Sequence, residues 1–172
     1  LLAAGYTVAK EQLRITDAVV PNIELCNSVS SNVAVVAPVI KDNDRNYLVV
    51  AGKGFSLEFN KRSGYMTKYV VEGTEMIKEG SALKPNFWRA PTDNDFGARL
   101  QVKYAVWKNP EIKLVSMQQR IENQQAVIES AYELPEVSAK LNLTYVINNE
   151  GTMKVTQKMT ADKNAKVSNL FR

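Results

Sequence analysis

The 172-residue sequence contains no histidine and a single cysteine, Cys26. Without histidine, these residues cannot form a serine-type catalytic triad in its usual form or a histidine-based zinc site. A lone cysteine forms no internal disulfide and no cysteine metal cluster, and a catalytic thiol normally needs a neighbouring base such as histidine. We therefore interpret Cys26 as a small apolar core residue.

Long apolar runs and concentrated charge are also missing. No apolar stretch approaches the roughly 20 residues needed to cross a bilayer, so we expect no membrane partner. The 22 Lys and Arg residues exceed the 18 Asp and Glu residues, which leaves a net charge of +4, but the basic residues are scattered along the chain. Because they form no basic stripe, we expect no nucleic-acid partner.

Both ends of the sequence predict a fragment of a longer protein. Leu1 and Leu2 are apolar and have no cap or turn before them, and Phe171 and Arg172 end a predicted strand with no tail. A missing signal peptide carries no information in a fragment, so the compartment stays open between periplasmic or secreted and cytoplasmic.

Period-two alternation predicts an all-β chain. In GFSLEFN, three apolar residues (Phe55, Leu57 and Phe59) alternate with polar ones, as in an antiparallel strand with one buried face. Regularly spaced short strands with Gly- and Asn-containing turns favour an antiparallel β-sandwich. Strands are predicted in YLVVAG, GFSLEFN, GYMTKYVVEG, TEMIKEG, EIKLVSMQQRI, QAVIESAYELP, SAKLNLTYVINN, GTMKVTQKMTA and KVSNLFR.

The N-terminal region is less regular. Residues 6–16, YTVAKEQLRIT, predict a strand with a bulge, with a helix as the alternative. Residues 17–32 are rich in Ser and Asn and are interpreted as a linker. The apolar run at 33–40 contains Pro38 and predicts an edge strand.

The segment KDNDRN, residues 41–46, predicts a turn with acidic residues at alternate positions. This spacing resembles the start of an EF-hand calcium loop, but Tyr47 stands where the loop needs Gly and Lys53 stands where it needs Glu. We therefore predict no metal site here.

The densest group of polar and aromatic side chains lies in KPNFWRAPTDNDFGARL, residues 84–100. Aromatic faces, a guanidinium and several acceptors suit a surface that faces a sugar. They also suit a buried loop anchor, which is the interpretation we favour, because buried polar groups need partners. The candidate substrate-binding residues are Trp88, Arg89, Asp93, Asn94, Asp95, Gly97 and Arg99.

A catalytic pair is conceivable within this stretch. If the chain is extended there, Asp93 and Asp95 lie on the same side, roughly 6–7 Å apart, near the roughly 5–5.5 Å between the two carboxyls of a retaining glycosidase. That mechanism needs two different environments, however, and Asp-Asn-Asp before Gly97 is typical of a turn. We predict no catalytic residue in this chain.

The remaining candidates have structural alternatives. We expect Arg89 to form an internal ion pair with Asp93 or Asp95 rather than to reach a substrate, because an unpaired buried guanidinium is costly. We expect Trp88 to pack in the core rather than to stack on a sugar ring. Residues 97–109, GARLQVKYAVWKN, predict a short helix or a loop with Val102, Ala105 and Val106 on one side.

The motif NFWRAPTDNDFG resembles the signature at the start of the last domain of family 2 β-galactosidases, the small-chain domain. Residues 55–80 resemble the paired strands that precede that signature, and residues 3–15 resemble the closing strand of the β-sandwich domain before it. The resemblance implies that residues 1–40 end an immunoglobulin-like sandwich domain and a linker. It also implies that residues 41–172 begin a galactose mutarotase-like supersandwich, here truncated.

The resemblance also carries expectations about function. It implies that the whole enzyme hydrolyses terminal β-D-galactosyl linkages with retention, and that both catalytic glutamates come from a barrel domain that this chain lacks. This chain would then be inactive alone, would buttress the barrel and would lend the loop beginning at Gly97 to the sugar pocket. Two alternatives stay open: a carbohydrate-binding module, and a purely structural or interaction domain.

The expected partners follow from the same resemblance. They are the missing barrel domain, a galactoside sugar and, as an open alternative, a second copy of the chain that pairs along exposed strand edges. No cofactor is expected in this chain, and a requirement of the whole enzyme for a divalent cation is left open.

Overall fold

A computed structural model of the protein describes residues 36–42, 44–163 and 165. The predicted strand at 6–16, the linker at 17–32, Cys26 and the predicted strand at 166–172 lie outside the described residues. Most of the predicted N-terminal domain, residues 1–40, lies outside them as well.

The described chain is an all-β structure of two antiparallel sheets, which confirms the predicted β-sandwich class. In both sheets, strands that are consecutive in the sequence are neighbours, so each sheet is a simple meander. The first sheet contains β1 (Val39–Lys41), β2 (Tyr47–Gly52), β3 (Phe55–Asn60), β4 (Met66–Val71) and β5 (Thr74–Glu75). The second contains β6 (Lys113–Glu122), β7 (Gln125–Leu134), β8 (Ala139–Ile147) and β9 (Met153–Ala161).

The core lies between the two sheets and is built by the predicted alternation. Phe55, Leu57 and Phe59 on β3 are buried, as are the predicted apolar positions of β8, while the residues between them are more exposed. Ring contacts then join the sheets. Phe59 meets Tyr145 edge-on with centroids 5.1 Å apart, and Tyr65 stacks on Tyr132 at 5.3 Å.

Two hydrogen bonds also connect the sheets at their turns. The Ser130 hydroxyl donates to the Gly64 carbonyl over 3.1 Å, and the Tyr69 hydroxyl donates to the Gly151 carbonyl over 3.0 Å. Both acceptors are backbone groups in turns that connect consecutive strands. The hydrogen bonds therefore fix how the turns of one sheet sit on the strands of the other.

Two strands differ from the sequence-based prediction. The edge strand predicted at 33–40 begins only at Val39, after Pro38, since proline cannot donate to a ladder; residues 33–35 are not described. The strand predicted in TEMIKEG contains only Thr74 and Glu75. After Met76 the chain leaves β4, and it pairs with that strand again at Leu83.

Most of the helical structure in the described residues lies in the segment between the two sheets. It consists of α1 (Asp93–Gly97), α2 (Leu100–Lys103) and a 3-10 turn at Ala105–Lys108, with a second 3-10 turn at Pro135–Val137. None of the helices in the described residues is long and apolar enough to cross a membrane.

Candidate functional site

Aromatic side chains anchor the stretch that joins the two sheets. Phe87 is buried and packs against the buried Trp107, with ring centroids 5.5 Å apart. Trp88 is half-buried and packs against the edge of the same core, and its backbone N–H donates to the Asn86 side chain over 3.0 Å. The expected packing role of Trp88 is therefore present, and contact of its exposed part with a sugar stays a prediction.

Arg89 and Asp95 form a two-pronged ion pair. The Arg89 Nη1 and Nη2 atoms donate to the two carboxylate oxygens of Asp95 over 2.5 and 2.9 Å. This confirms the predicted internal pair and selects Asp95 rather than Asp93 as its acceptor. The guanidinium is partly exposed, whereas the Asp95 side chain is only 6% exposed, so the buried charge is compensated from the solvent side.

The same carboxylate also holds the start of α1. Asp95 Oδ2 accepts the backbone N–H of Thr92 over 2.7 Å and the Thr92 hydroxyl over 2.9 Å. Side-chain acceptors at this position satisfy N–H groups that a helix leaves unpaired at its first turn. One buried carboxylate therefore ties Arg89, before the helix, to the helix itself.

The idea that Asp93 and Asp95 lie side by side in an extended segment is wrong. Both belong to α1, in which side chains two positions apart point to different faces. Asp95 is buried against Arg89, and Asp93 is exposed to solvent. The helix forms here because Thr92 and Asp95 cap it, a Thr-x-x-Asp pattern that was visible in the sequence.

The ion pair and the hydrogen bonds from Thr92 hold the pKa of Asp95 well below its usual range. The principal cause is the hydrogen bonding to Arg89, followed by the bond from the Thr92 backbone. A carboxylate in this state is an acceptor at every physiological pH and cannot serve as the proton donor of a hydrolase.

The segment after α1 exposes several apolar side chains. Val102, Ala105 and Val106 were predicted on one side of this segment. Val102 and Ala105 are exposed, Val106 is partly buried against the core, and only Trp107 is fully buried. Phe96 on α1 is 54% exposed and Val102 is 59% exposed. The exposure of Phe96 has no signal in the sequence, because a single apolar residue in a strongly polar run forms no periodic pattern.

Gly97 and Arg99 occupy contrasting backbone positions. Arg99 has a positive φ of 55° and precedes α2, a conformation that non-glycine residues seldom adopt. The conformation at position 97 does not require glycine. A Cβ atom placed on Gly97 meets nothing within 4 Å, and the φ of Gly97 lies outside the left-handed range. The structure of the chain itself therefore leaves the glycine at this position unexplained.

The structure brings together part of the predicted site. Arg89, Asp95 and the cap of α1 form one unit, and Trp88 adjoins it in sequence and lies at the core edge. Asp93, Asn94 and Arg99 are exposed around that unit. In the described part of the chain, no three His, Cys, Asp or Glu side chains group closely enough to hold a metal ion.

We expect Asp95→Asn to lower the free energy of unfolding at neutral pH, and the loss to shrink in acid. Because the folded pKa of Asp95 is depressed, its carboxylate contributes stability above the unfolded pKa of about 3.9, and that contribution is lost as the pH falls through the folded pKa. Urea unfolding of both proteins between neutral pH and about pH 2 measures this difference.

The matched control is Asp93→Asn, which makes the same Asp-to-Asn substitution at an exposed residue two positions earlier in the chain. It should change stability less than Asp95→Asn at neutral pH. Equal effects of the two substitutions at neutral pH would contradict a structural role of the Arg89 pair.

Comparison with known proteins gives consistent matches along this chain. Residues 51–172 match the family described as "Beta galactosidase small chain". The chain is 31% identical over 162 residues to a β-galactosidase of Priestia megaterium, covering 91% of this chain and 14% of that protein. It is 37% identical over 98 residues to a β-galactosidase of Psychromonas ingrahamii, covering 54% of this chain and 8% of that protein.

A β-galactosidase of Lactobacillus delbrueckii subsp. bulgaricus is 30% identical over 122 residues, which cover 69% of this chain and 12% of that protein. The chain therefore spans at most about a seventh of the length of these three relatives.

Proposed function

Because this chain belongs to the β-galactosidase small-chain family, we propose that it is a non-catalytic part of a β-galactosidase. In the whole enzyme it buttresses the catalytic barrel and presents the loop that begins at Gly97 to the sugar pocket. The matched relatives are β-galactosidases several times longer than this chain, which supports assigning the catalytic barrel to another part of the polypeptide.

The observation that carries this proposal is that residues 84–100 contain two groups of polar side chains in different environments. Arg89 and Asp95 bind each other, so these two charges are used to hold the segment's shape. Asp93, Asn94 and Arg99 project from the held segment and are exposed. A rigid base that displays exposed polar groups is suited to place a loop against a ligand or another domain.

The carboxylates of this stretch do not suit the chemistry of galactoside cleavage. Retaining hydrolysis needs one carboxyl that is protonated at working pH and a second that attacks the sugar. The depressed pKa of Asp95 is the opposite of what a general acid needs, and Asp93 points to a different face of α1. We therefore assign both residues to shape and contact rather than to bond cleavage.

Exposed apolar side chains support contact with the rest of the enzyme. Phe96 and Val102 lie on consecutive short helices, and both are more than half exposed. Large apolar residues in neighbouring exposed positions often mark an interaction surface. We propose that this surface packs against the part of the polypeptide that carries the barrel.

We expect the purified 172-residue chain to show no turnover of a chromogenic galactoside, while the whole β-galactosidase polypeptide that contains it is active.

In the whole enzyme, Gly97→Ala should change kcat/KM, because the loop must adopt a second conformation or admit a close neighbour when sugar binds. The isolated chain should keep its stability on Gly97→Ala, since a Cβ there meets nothing within 4 Å.

Two results would contradict this proposal. Turnover by the isolated chain that is lost on Asp93→Asn would place catalysis within it. Unchanged kinetics of the whole enzyme on Gly97→Ala, together with unchanged kinetics on Arg99→Ala, would separate this loop from the sugar pocket.

A further inference from the structure

A cavity on the outer face of the first sheet includes no residue of the helical segment. It forms where the chain departs from β4 after β5. The Met76 N–H still donates to the Tyr69 carbonyl over 2.8 Å, and the Leu83 N–H returns to the Met66 carbonyl over 2.9 Å. Between these two bonds the chain arches outward and walls a cavity of about 780 Å³.

Alternation along the strands determines the floor of this cavity. On β2 and β3, Leu48, Leu57 and Phe59 point into the core, so their neighbours Tyr47 and Glu58 point to the outer face. Lys68 is directly opposite Glu58 across the β3–β4 ladder. The floor therefore presents a carboxylate and an ammonium group on neighbouring strands, with the aromatic ring of Tyr47 diagonal to the carboxylate.

The β3–β4 pair carries a bulge between Glu58 and Phe59, which adds a further polar group to the floor. The Thr67 hydroxyl donates to the Glu58 carboxylate over 3.3 Å. This bond orients one carboxylate oxygen of Glu58, a residue that lines the cavity and has further acceptor capacity. A held carboxylate is a better acceptor for ligand hydroxyls than a freely rotating one.

Charged side chains of both signs line the cavity, and they do not form ion pairs with one another. Three carboxylates, including Glu58 and Glu79, and two ammonium groups, Lys68 and Lys84, contribute to the lining. None of these five groups makes an ion pair in the described part of the chain. Donors and acceptors are therefore available in nearly equal number, with a small excess of negative charge.

Tyr47 supplies the apolar part of the site. Tyr47 is 36% exposed although it lies within a strand, and it lines the cavity together with residues of the loop between Met76 and Leu83. An aromatic face next to convergent carboxylate, ammonium and hydroxyl groups matches the C–H face and the hydroxyl groups of a sugar ring.

We propose that this cavity binds a neutral saccharide of one or two rings. Its volume falls within the roughly 300–1,000 Å³ typical of small-molecule sites. The excess of carboxylates disfavours a phosphate or another anion, and the strongly polar lining disfavours an apolar ligand. This inference goes beyond the proposed function, because saccharide binding here requires neither the barrel nor the helical segment.

The test is a calorimetric titration of the purified chain with lactose, with inorganic phosphate as the anionic comparison. We expect saturable lactose binding with a dissociation constant of about 1 mM, as is common for shallow polar sites, and no phosphate binding. Tyr47→Ala should weaken lactose binding roughly fivefold, because the stacking face is removed. Glu58→Gln, which keeps the shape of the side chain, should weaken it by a similar factor.

Phe96→Ala is the matched control. It also removes an exposed aromatic ring, but at a position on α1 outside the cavity, and it should leave lactose binding unchanged. Circular dichroism of each variant establishes that the sheets are retained. Glu58→Gln removes no volume, so it keeps the test valid if Tyr47→Ala fails to fold.

Three outcomes would overturn the inference: no saturable heat up to about 50 mM lactose, equal lactose affinity in the Glu58→Gln variant and the unsubstituted chain, or loss of binding on Phe96→Ala alone. The last would move the sugar to the helical segment. Failure of this inference leaves the proposed function intact, because that proposal rests on turnover and kinetics of the whole enzyme.

Discussion

Phe59→Ala should lower the free energy of unfolding by about 3–5 kcal/mol, the usual cost of removing a fully buried phenylalanine. Phe59 is completely buried on the central strand of the first sheet, and its ring meets Tyr145 of the second sheet edge-on, with centroids 5.1 Å apart. The substitution removes both the buried ring and one of the aromatic contacts between the sheets.

Such a loss is a large share of the 5–15 kcal/mol or so by which a domain is typically stable. Urea unfolding followed by far-ultraviolet circular dichroism measures it. Phe96→Ala is again the matched control, because Phe96 is 54% exposed. Its substitution should change the free energy of unfolding by no more than about 0.5 kcal/mol. Similar losses for the two substitutions would mean that the two sheets do not share one core.

The position of Phe59 illustrates which parts of the fold could be predicted from the sequence. Alternation in GFSLEFN and SAKLNLTYVI predicts strands with one buried face. The prediction is strong because a shift of one residue in the register would expose every apolar side chain of the strand. The strand positions and the buried residues of β3 and β8 were therefore predicted correctly. The fold class follows from the regular recurrence of such strands.

The helical segment was predicted less well, because short helices carry few periodic positions. Val102, Ala105 and Val106 were predicted on one side of the segment from their helical spacing, and the structure exposes Val102 and Ala105 but partly buries Val106. A single turn of helix can be held by its caps alone, as Asp95 and Thr92 hold α1. The apolar spacing after it therefore carried little information about burial.

Some features of the candidate site could be predicted from the sequence, and others depended on the fold. The internal pairing of Arg89 was predicted from the cost of burying a guanidinium, but the structure buries the Asp95 carboxylate and leaves Arg89 partly exposed. The choice of Asp95 over Asp93 depended on the helix. The cavity beside Tyr47 was not predictable, because it depends on where the chain leaves β4 and where it returns. Backbone departures of that kind have no periodic signature.

The position of the turn between β3 and β4 has a further consequence for stability. Gly64 is buried with a φ of +72°, and a Cβ atom there would lie 2.5 Å from the Tyr132 hydroxyl and 2.7 Å from the Leu114 side chain. Tyr132 is itself buried and stacked on Tyr65, so its hydroxyl has little freedom to move aside. The turn can approach the second sheet this closely only because residue 64 has no side chain.

Gly64→Ala should therefore lower the free energy of unfolding by about 2–5 kcal/mol, as the sum of a left-handed backbone cost of roughly 1–2 and an overpacking cost of roughly 1–3. Gly73→Ala separates the two contributions, because Gly73 has a similar φ of +77° and a Cβ there meets nothing within 4 Å. It should show the backbone cost alone. Urea unfolding of both variants measures the difference, and equal losses would contradict close packing of this turn against Tyr132.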